Sequence, residues 1–462
     1  MLNRWFDPIL LRDLLKISWP TVVYSLLETV VGLVDIYFSG FLGDSAVAAL
    51  GFSRQIFLVL MIGTIAVTTG TITLVSQYFG AKRYDEASSV AWHSLLVSIV
   101  AGIGLGIIGA LTARTCLLAL GAHPEVLQHG VPYLRILLGG VVFLMINFST
   151  NAVFRAMGDT KTPLKIALLV NVLNVGFNYI FLFGLPPFIP AYGVSGIAVG
   201  TLLARAIGGG LAIWMLLQTS RPVHLKMVPF IDFSMLRHIL HIGVPTGVSG
   251  FFRNGARVLF VGIIASTAAG TTAVAAAAIG FQIRMLSIMP ALAFQVGTAA
   301  LVGQSIGSKD TSKAEAYGWT AIQFVSMIMA ATSVILIIFP QTIVGLFTSD
   351  ENVLALARIT LTCIAFEQFC NCVSIVAGGA LAGSGDTRPS MRYTVFAQWM
   401  LMVPAAWCLV AYSPWDVYGA WVAWGVAPAV QSVLTVLRFW RGKWKTIRVV
   451  YHPEDAGDVE PV

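Results

Sequence analysis

Long apolar stretches recur along almost the whole chain, and they constrain its fold more than any other feature. A stretch of about 20 mostly apolar residues is long enough to cross the hydrocarbon core of a bilayer as a helix. Charged residues make up 11% of the 462 residues, whereas soluble domains carry about 25%. Because the chain has too little polar surface for a soluble domain, we predict an all-α polytopic membrane protein. Twelve transmembrane helices are predicted, near residues 17–40, 48–78, 88–114, 128–156, 163–184, 193–218, 236–264, 272–305, 315–343, 352–382, 390–411 and 416–439.

Lysine and arginine residues are concentrated in alternate connections between the predicted spans. One set of connections includes residues 82–83, 161–165 and 309–313, whereas the other set, such as "GAHPEVLQHG" and "STAAGTT", contains none. The positive-inside rule places the basic set in the cytoplasm. We therefore expect a multi-pass protein of the cell's inner membrane with both termini cytoplasmic. The net charge of +7 then belongs to cytoplasmic loops, so it requires no nucleic-acid partner.

The two halves of the chain repeat each other. The segment "LLKISWPT" (14–21) matches "ILHIGVPT" (239–246), and "GTITLVSQYFGAKRYDEASSVAW" (70–92) matches "GTAALVGQSIGSKDTSKAEAYGW" (297–319). Six helices are thus repeated as six helices, and an even number of spans gives both repeats the same orientation. We expect two pseudo-symmetric bundles related by an axis along the membrane normal, with a cleft between them where transporters hold their substrates.

The repeat also predicts the domain organisation. We expect a six-helix N-terminal lobe over residues 1–216 and a six-helix C-terminal lobe over residues 239–440. A cytoplasmic linker over residues 217–238 joins them, and a basic-then-acidic cytoplasmic tail follows over residues 441–462.

Acidic residues are rare within the predicted spans. Of the 21 acidic residues only Glu28, Asp35 and Glu367 lie in the interior of a predicted span. A charge at the centre of a membrane helix costs roughly 2.5–3.5 kcal/mol on insertion scales, so each needs a partner, an ion or a proton. The seven-residue spacing of Glu28 and Asp35 places both on one face of the first helix, about 10 Å apart. We therefore expect a functional site on that face.

Other classes of function find little support in the sequence. The chain contains no Walker motif, glycine-rich phosphate loop or cluster of residues with metal-ligand spacing, so we predict neither ATP coupling nor a cofactor. A polytopic membrane enzyme would need a catalytic constellation, and we identify none. We predict that the protein is not an enzyme.

Several doubled motifs resemble the multidrug and toxic compound extrusion (MATE) family. They are the loops "FRAMGDTKTP" and "LAGSGDTRPS", the pair "VSQYFGAKRYDEA" and "VGQSIGSKDTSKA", and the single segment "NVLNVGFNYIFLFG". The resemblance implies two six-helix lobes in a V shape. It also implies a monomeric secondary antiporter that works by alternating access among membrane lipids. Such a protein exports mostly cationic or amphipathic drugs and toxic compounds in exchange for H⁺ or Na⁺.

The resemblance also assigns roles in the first lobe. Asp35 stands fifteen residues after Pro20 and matches the acid in the first span of the family. It is thereby the expected H⁺- or Na⁺-binding carboxylate, and Pro20 the expected hinge. No metal other than Na⁺ at Asp35 is expected. The neighbours expected to complete the coupling site are Asn174, Asn178, Thr201 and, in the fourth span, Asn151 or Asn147.

The second lobe departs from the NorM-like members of the family. Their two acids fall on Arg253 and Asn371 in this chain, so the pattern is closer to DinF-like members. We expect Arg253 to take the place of a cation and to pair with Glu367. The residues expected to line the substrate cleft are Glu28, Arg253, Arg257, Arg284, Glu367 and Asn371.

A flippase of lipid-linked oligosaccharide, or of another lipid-linked precursor, is the alternative prediction. Flippases of this kind share the broader fold. In that case Arg253, Arg257 and Arg284 would bind a pyrophosphate through charge-assisted hydrogen bonds.

Overall fold

The structure is a computed structural model that describes residues 7–226, 231–447 and 449. Most of the predicted tail therefore lies outside the described residues. The described part of the first repeat consists of α1 (Pro8–Gly40), α2 (Asp44–Gly80), α3 (Tyr84–Ala119), α4 (Pro124–Gly139), α5 (Val141–Ala156), α6 (Lys161–Phe183) and α7 (Val194–Leu217). The second repeat consists of α8 (Phe233–Ala265), α9 (Gly270–Gly307), α10 (Thr311–Ile338), α11 (Pro340–Gly345), α12 (Glu351–Ser384), α13 (Thr387–Val395), α14 (Val403–Tyr412) and α15 (Val417–Trp440).

The helices have the lengths and compositions of membrane spans. Among the described residues, ten helices are long and apolar enough to cross a bilayer, and up to twelve spans result if each of two bent pairs counts as one. The eleventh span is built from α13, a π-helical stretch over Phe396–Met402, and α14. The prediction of an all-α polytopic chain agrees with this architecture.

The fourth predicted span is bent rather than straight. Helices α4 and α5 meet at an angle of 43°, where residues 128–156 were expected to form one span. Two consecutive glycines, Gly139 and Gly140, lie at the break. A Cβ atom at Gly140 would lie only 2.3 Å from Leu202 of α7, so the missing side chain allows the bend to pack against that helix.

The chain forms two compact units. The first unit is Trp19–Val244, and the second unit comprises the chain up to Ser18 together with the chain from Pro245 onward. These bounds differ from the predicted lobes because the start of α1 packs in the core of the second unit, where Leu14 and Ile17 are buried beside Phe294. The lobes defined by the sequence repeat stay a prediction.

The start of α1 belongs to the second unit and the start of α8 belongs to the first unit. The glycine that is repeated in the "GTITLV" and "GTAALV" segments makes room for each of these helix starts. In the first unit, a Cβ atom on Gly70 of α2 would lie 2.2 Å from the carbonyl oxygen of Ile239 in α8. In the second unit, a Cβ atom on Gly297 of α9 would lie 2.5 Å from the Oγ of Ser18 in α1. Each repeated glycine therefore lets the start of the other repeat's first helix approach closely.

The two GDT motifs form matching ion pairs at or just beyond the ends of spans. Asp159 accepts a hydrogen bond from Arg221 Nη1 (2.8 Å), and Asp386 accepts two from Arg438 (2.7 and 3.1 Å). The glycine before each aspartate has a positive φ, 84° and 89°, which explains why the motif requires glycine. Burial alone would raise the pKa of Asp159, but hydrogen bonds from Thr162 and Arg221 outweigh it and hold this pKa below its usual range. Asp159 thus ties the chain that follows α5 to the chain that follows α7. Asp386 likewise ties the chain that follows α12 to the end of α15.

Candidate functional site

Asp35 of α1 lies at the centre of a polar site in the first unit. Asp35 is only 6% exposed to solvent. Its Oδ1 accepts hydrogen bonds from Asn178 Nδ2 (2.7 Å), Thr201 Oγ1 (3.0 Å) and, at a longer 3.4 Å, Asn174 Nδ2. The second oxygen lies 3.1 Å from Thr201 Oγ1. The structure therefore brings together four of the five residues predicted for the coupling site.

Helices α6 and α7 hold these donors in place. Asn174 and Asn178 are one turn apart on α6, so they share a face. Asn174 Nδ2 also donates to Thr201 Oγ1 (2.9 Å), which ties the two helices together beside Asp35. A Cβ atom on Gly200 would lie 2.5 Å from Asn178 Oδ1, so glycine is needed next to Thr201.

The donors stabilise Asp35 in its charged form. Two amide groups and one hydroxyl donate to a carboxylate that has no ion-pair partner among the described residues. The amide oxygens of Asn174 and Asn178 are buried, and no described group donates to them. Carboxylate, amide and hydroxyl oxygens are the ligands that hard cations prefer. The same groups also suit a carboxylate that takes up a proton, so this site has the chemistry for either ion.

The predicted asparagines of the fourth span are not at Asp35. Asn151 Nδ2 donates to the hydroxyl of Tyr24 (3.0 Å). Asn147 Nδ2 donates to the backbone oxygens of Phe143 (2.7 Å) and Arg205 (2.8 Å). Both side chains therefore connect helices rather than contact the carboxylate.

A cavity of about 210 Å³ opens beside Asp35 within the first unit. Its lining includes the carboxylates of Glu28 and Asp35 and the guanidinium groups of Arg54 and Arg205. Arg205 Nη2 lies 3.5 Å from Glu28 Oε2. Arg205 is therefore the ion-pair partner of Glu28 among the described residues.

Sequence reasoning missed Arg205, although a signal for it was present. Arg205 lies within the span predicted over residues 193–218, one turn after Thr201. The rule that a charge inside a span marks function applies to bases as well as to acids.

The predicted hinge residue lies inside an unbroken helix. Pro20 is part of α1, which runs from Pro8 to Gly40. A proline in a helix interior removes one backbone hydrogen bond, so it weakens the helix locally. Its role as a hinge stays a prediction.

The predicted pairing of Arg253 with Glu367 is wrong in this structure. Glu367 of α12 pairs with Arg284 of α9 through two hydrogen bonds, Nε–Oε2 at 2.5 Å and Nη2–Oε1 at 2.7 Å. The ring of Trp424 lies 5.9 Å from the Arg284 guanidinium and packs beside it. Helices α9 and α12 pack against each other, so their side chains can pair directly. Arg253 of α8 interacts with Arg284 and Glu367 electrostatically, without a hydrogen bond.

The other residues predicted for the second lobe occupy the same neighbourhood. Arg253 and Arg257 are one turn apart on α8 and half-buried, and neither forms an ion pair with another described residue. Asn371 is buried on α12, one turn after Glu367. Arg253 lies within electrostatic range of both Arg284 and Glu367, and Arg257 lies within range of Arg284.

Comparison with known proteins identifies the family. A protein-family model described as MatE matches residues 20–180 and 245–408, which is more than half of the chain. The protein belongs to the MATE family. MATE proteins are transporters, so the predictions of a membrane transporter and of a non-enzyme are confirmed.

Curated MATE-family relatives extend over nearly the full length. A probable multidrug resistance protein NorM from Thermotoga maritima is 28% identical over 442 residues, which cover 95% of this chain and 94% of the relative. An uncharacterized transporter, YisQ, from Bacillus subtilis is 26% identical and covers 93% of this chain and 94% of the relative. The likeness to DinF-like members is not resolved by these matches and stays a prediction.

Solved structures confirm the fold of this MATE protein. A MOP superfamily transporter from Pyrococcus furiosus matches with a TM-score of 0.86 at 22% identity, covering 95% of this chain and 96% of that chain. An outward-facing multidrug resistance MATE family transporter matches with a TM-score of 0.85 at 23% identity, covering 93% and 96%. The predicted twelve-helix fold class is therefore confirmed.

Proposed function

We propose that this MATE-family protein is a secondary antiporter that exports small cationic or amphipathic compounds in exchange for H⁺ or Na⁺. The observation that carries the proposal is Asp35, a buried carboxylate on a membrane helix that borders a cavity and contacts no basic side chain among the described residues. A charge placed there at a cost of several kcal/mol is a functional group by default. The names of relatives such as the Thermotoga multidrug resistance protein support the class of substrate.

Asp35 couples the two fluxes in this proposal. In the charged state it attracts a cationic substrate into the cavity, and hydrogen bonds from the three donors on α6 and α7 stabilise that state. Binding of H⁺ or Na⁺ removes that charge, so the affinity for the substrate falls, and by linkage the substrate opposes binding of the ion to the same extent. Bending of α1 near Pro20 would then change the cavity. The protein acts as a monomer in the inner membrane, with both termini cytoplasmic.

The flippase alternative is not retained as a second proposal. It requires the three arginines of the second unit to be free for a pyrophosphate. Arg284 is already engaged by Glu367 through two hydrogen bonds. The relatives reported above are named as transporters or multidrug resistance proteins.

Efflux measured in proteoliposomes with H⁺ and Na⁺ gradients imposed separately tests the proposal. The variant Asp35→Asn keeps the shape of the side chain but cannot exchange a charge. We expect it to insert, to fold, to bind substrate with the lowered affinity of the neutralised protein, and to lose gradient-driven efflux under both gradients. The matched control is Asp44→Asn, which makes the same change at an exposed carboxylate at the start of α2 and should transport normally. Wild-type efflux by well-folded Asp35→Asn protein would refute the proposal.

A further inference from the structure

The two ion pairs that involve intramembrane glutamates differ sharply in geometry and exposure. Arg284 and Glu367 form a double hydrogen bond, and the Glu367 side chain is only 2% exposed. Arg205 and Glu28 share a single contact of 3.5 Å, and the Glu28 side chain is 28% exposed. The first pair has the bidentate geometry of a strong arginine–carboxylate interaction. The second pair is loose and accessible, so its two members are free to exchange partners.

Arg205 lies near two carboxylates that line the same cavity. It follows Thr201 by one turn of α7, and Thr201 is bonded to Asp35. Glu28, Asp35 and Arg205 all line the same cavity, and Arg205 lies within electrostatic range of Asp35. The Arg205 Nε is buried, and none of the described residues accepts a hydrogen bond from it. The guanidinium thus has an unused donor in addition to its long contact with Glu28.

We propose that Glu28 binds the cationic group of the transported substrate and that Arg205 is an internal competitor for Glu28. While Asp35 is charged, it attracts Arg205 and leaves Glu28 available to the substrate. When H⁺ or Na⁺ neutralises Asp35, Arg205 loses one of its two attractors and pairs with Glu28, which displaces the substrate. This inference rests on the proposed function, because it assumes ion binding at Asp35 and a cationic substrate.

The other groups near Glu28 and Asp35 do not provide a competitor for Glu28 that responds to the charge of Asp35. Arg54 of α2 lines the cavity, and an arginine keeps its charge over the whole physiological pH range. Tyr133 of α4 also lines it, and phenols are uncharged near neutral pH. Tyr24, one turn before Glu28 on α1, stacks on the guanidinium of Arg155 at 4.3 Å. None of the described lining residues is a histidine.

Binding of a permanent aromatic cation by the purified protein tests the inference. The probe is N-methylquinolinium, whose charge does not change with pH, and its dissociation constant is measured by calorimetry. Three conditions are compared: alkaline pH in potassium, acidic pH in potassium, and alkaline pH in sodium. We expect wild-type affinity to fall by about tenfold in one or both neutralising conditions, a coupling of ordinary size between two sites.

The variants separate the roles of the three residues. Arg205→Met should bind the probe about equally in all three conditions, because the competitor is gone, and Arg205→Lys should restore the difference. Glu28→Gln should bind weakly in all conditions. Asp35→Asn should match the neutralised wild-type protein throughout. Thermal unfolding and elution profiles establish that each variant is folded, and the lysine variant keeps the test informative if the methionine variant unfolds.

Two outcomes overturn this inference alone. In the first, Arg205→Met keeps the full wild-type difference while Asp35→Asn abolishes it, so that ion and substrate compete directly at Asp35. In the second, Glu28→Gln binds the probe as tightly as wild type. A wild-type affinity that is the same in every condition would overturn ion coupling at Asp35 as well.

Discussion

At the scale of single residues, the charged groups inside the spans fall into two kinds. Glu367 is shielded from solvent and pairs closely with Arg284, whose side chain is largely buried. Among the described residues, Asp35 accepts hydrogen bonds from neutral donors only, and Glu28 contacts Arg205 at 3.5 Å. A charge satisfied by a close partner stabilises the fold, whereas a charge without one is available to ions and substrates. The contrast predicts different stability effects at the two glutamates.

Removing the charge of Glu367 should destabilise the protein far more than the same change at Glu28. Glu367→Gln leaves the Arg284 guanidinium buried without a counter-ion, and breaking a buried pair from one side typically costs about 3–5 kcal/mol. Glu28→Gln breaks a partly exposed contact, for which about 0–1 kcal/mol is typical. Thermal unfolding in detergent compares the two variants directly. Equal unfolding temperatures would show that Arg284 finds another partner, such as solvent, and would contradict this assignment.

At the scale of helices, small residues decide which segments lie together. Gly70 and Gly297 occupy equivalent places in the two repeats, and each lies against the start of the other repeat's first helix. Without a hydrophobic driving force between helices in lipid, close packing is a main source of association, and glycine permits the closest approach. The repeated segments "GTITLV" and "GTAALV" therefore have a structural explanation.

Gly70→Ala should destabilise the first unit. The added methyl group meets a backbone oxygen of Ile239 at 2.2 Å, and the backbone cannot move aside as a side chain can. Overpacking of this kind typically costs about 1–3 kcal/mol. The control is Gly176→Ala in α6, where nothing lies within 4 Å and the better helix propensity of alanine should leave stability unchanged or slightly raised. If both variants unfold at the same temperature, the close crossing is not a determinant of stability.

At the scale of the whole molecule, the basic connections predict its orientation in the membrane. Fusions of alkaline phosphatase, which is active only outside the cytoplasm, test this prediction in a bacterial host. A fusion within residues 121–123, in a connection without lysine or arginine, should be active, and a fusion within residues 82–83 should be inactive. A fluorescent protein at the C-terminus should fluoresce. The reverse pattern would contradict the prediction that the basic connections lie in the cytoplasm.

Much of the architecture follows from patterns local in sequence. Apolar length predicts the spans, because a helix must satisfy its own backbone in lipid. The repeat predicts two equivalent sets of helices, and the rarity of acids inside spans singles out Asp35. Its contacts with Asn174, Asn178 and Thr201 were anticipated from a family resemblance rather than from spacing. Local pattern gave no indication of the bend at Gly140, since a pair of glycines is tolerated in many straight helices.

Sequence alone thus determined that the chain is a helical membrane protein with a doubled design and an exceptional carboxylate at position 35. Tertiary structure decided which charges meet. Glu367 pairs with Arg284 rather than Arg253, and Glu28 faces Arg205. These partners depend on which helices are neighbours and on the depth of each residue in the membrane. A helical period fixes the face of a residue on its own helix, but a contact between helices requires the neighbour, the crossing angle and the depth of both. Those quantities are set by the packing of the whole bundle.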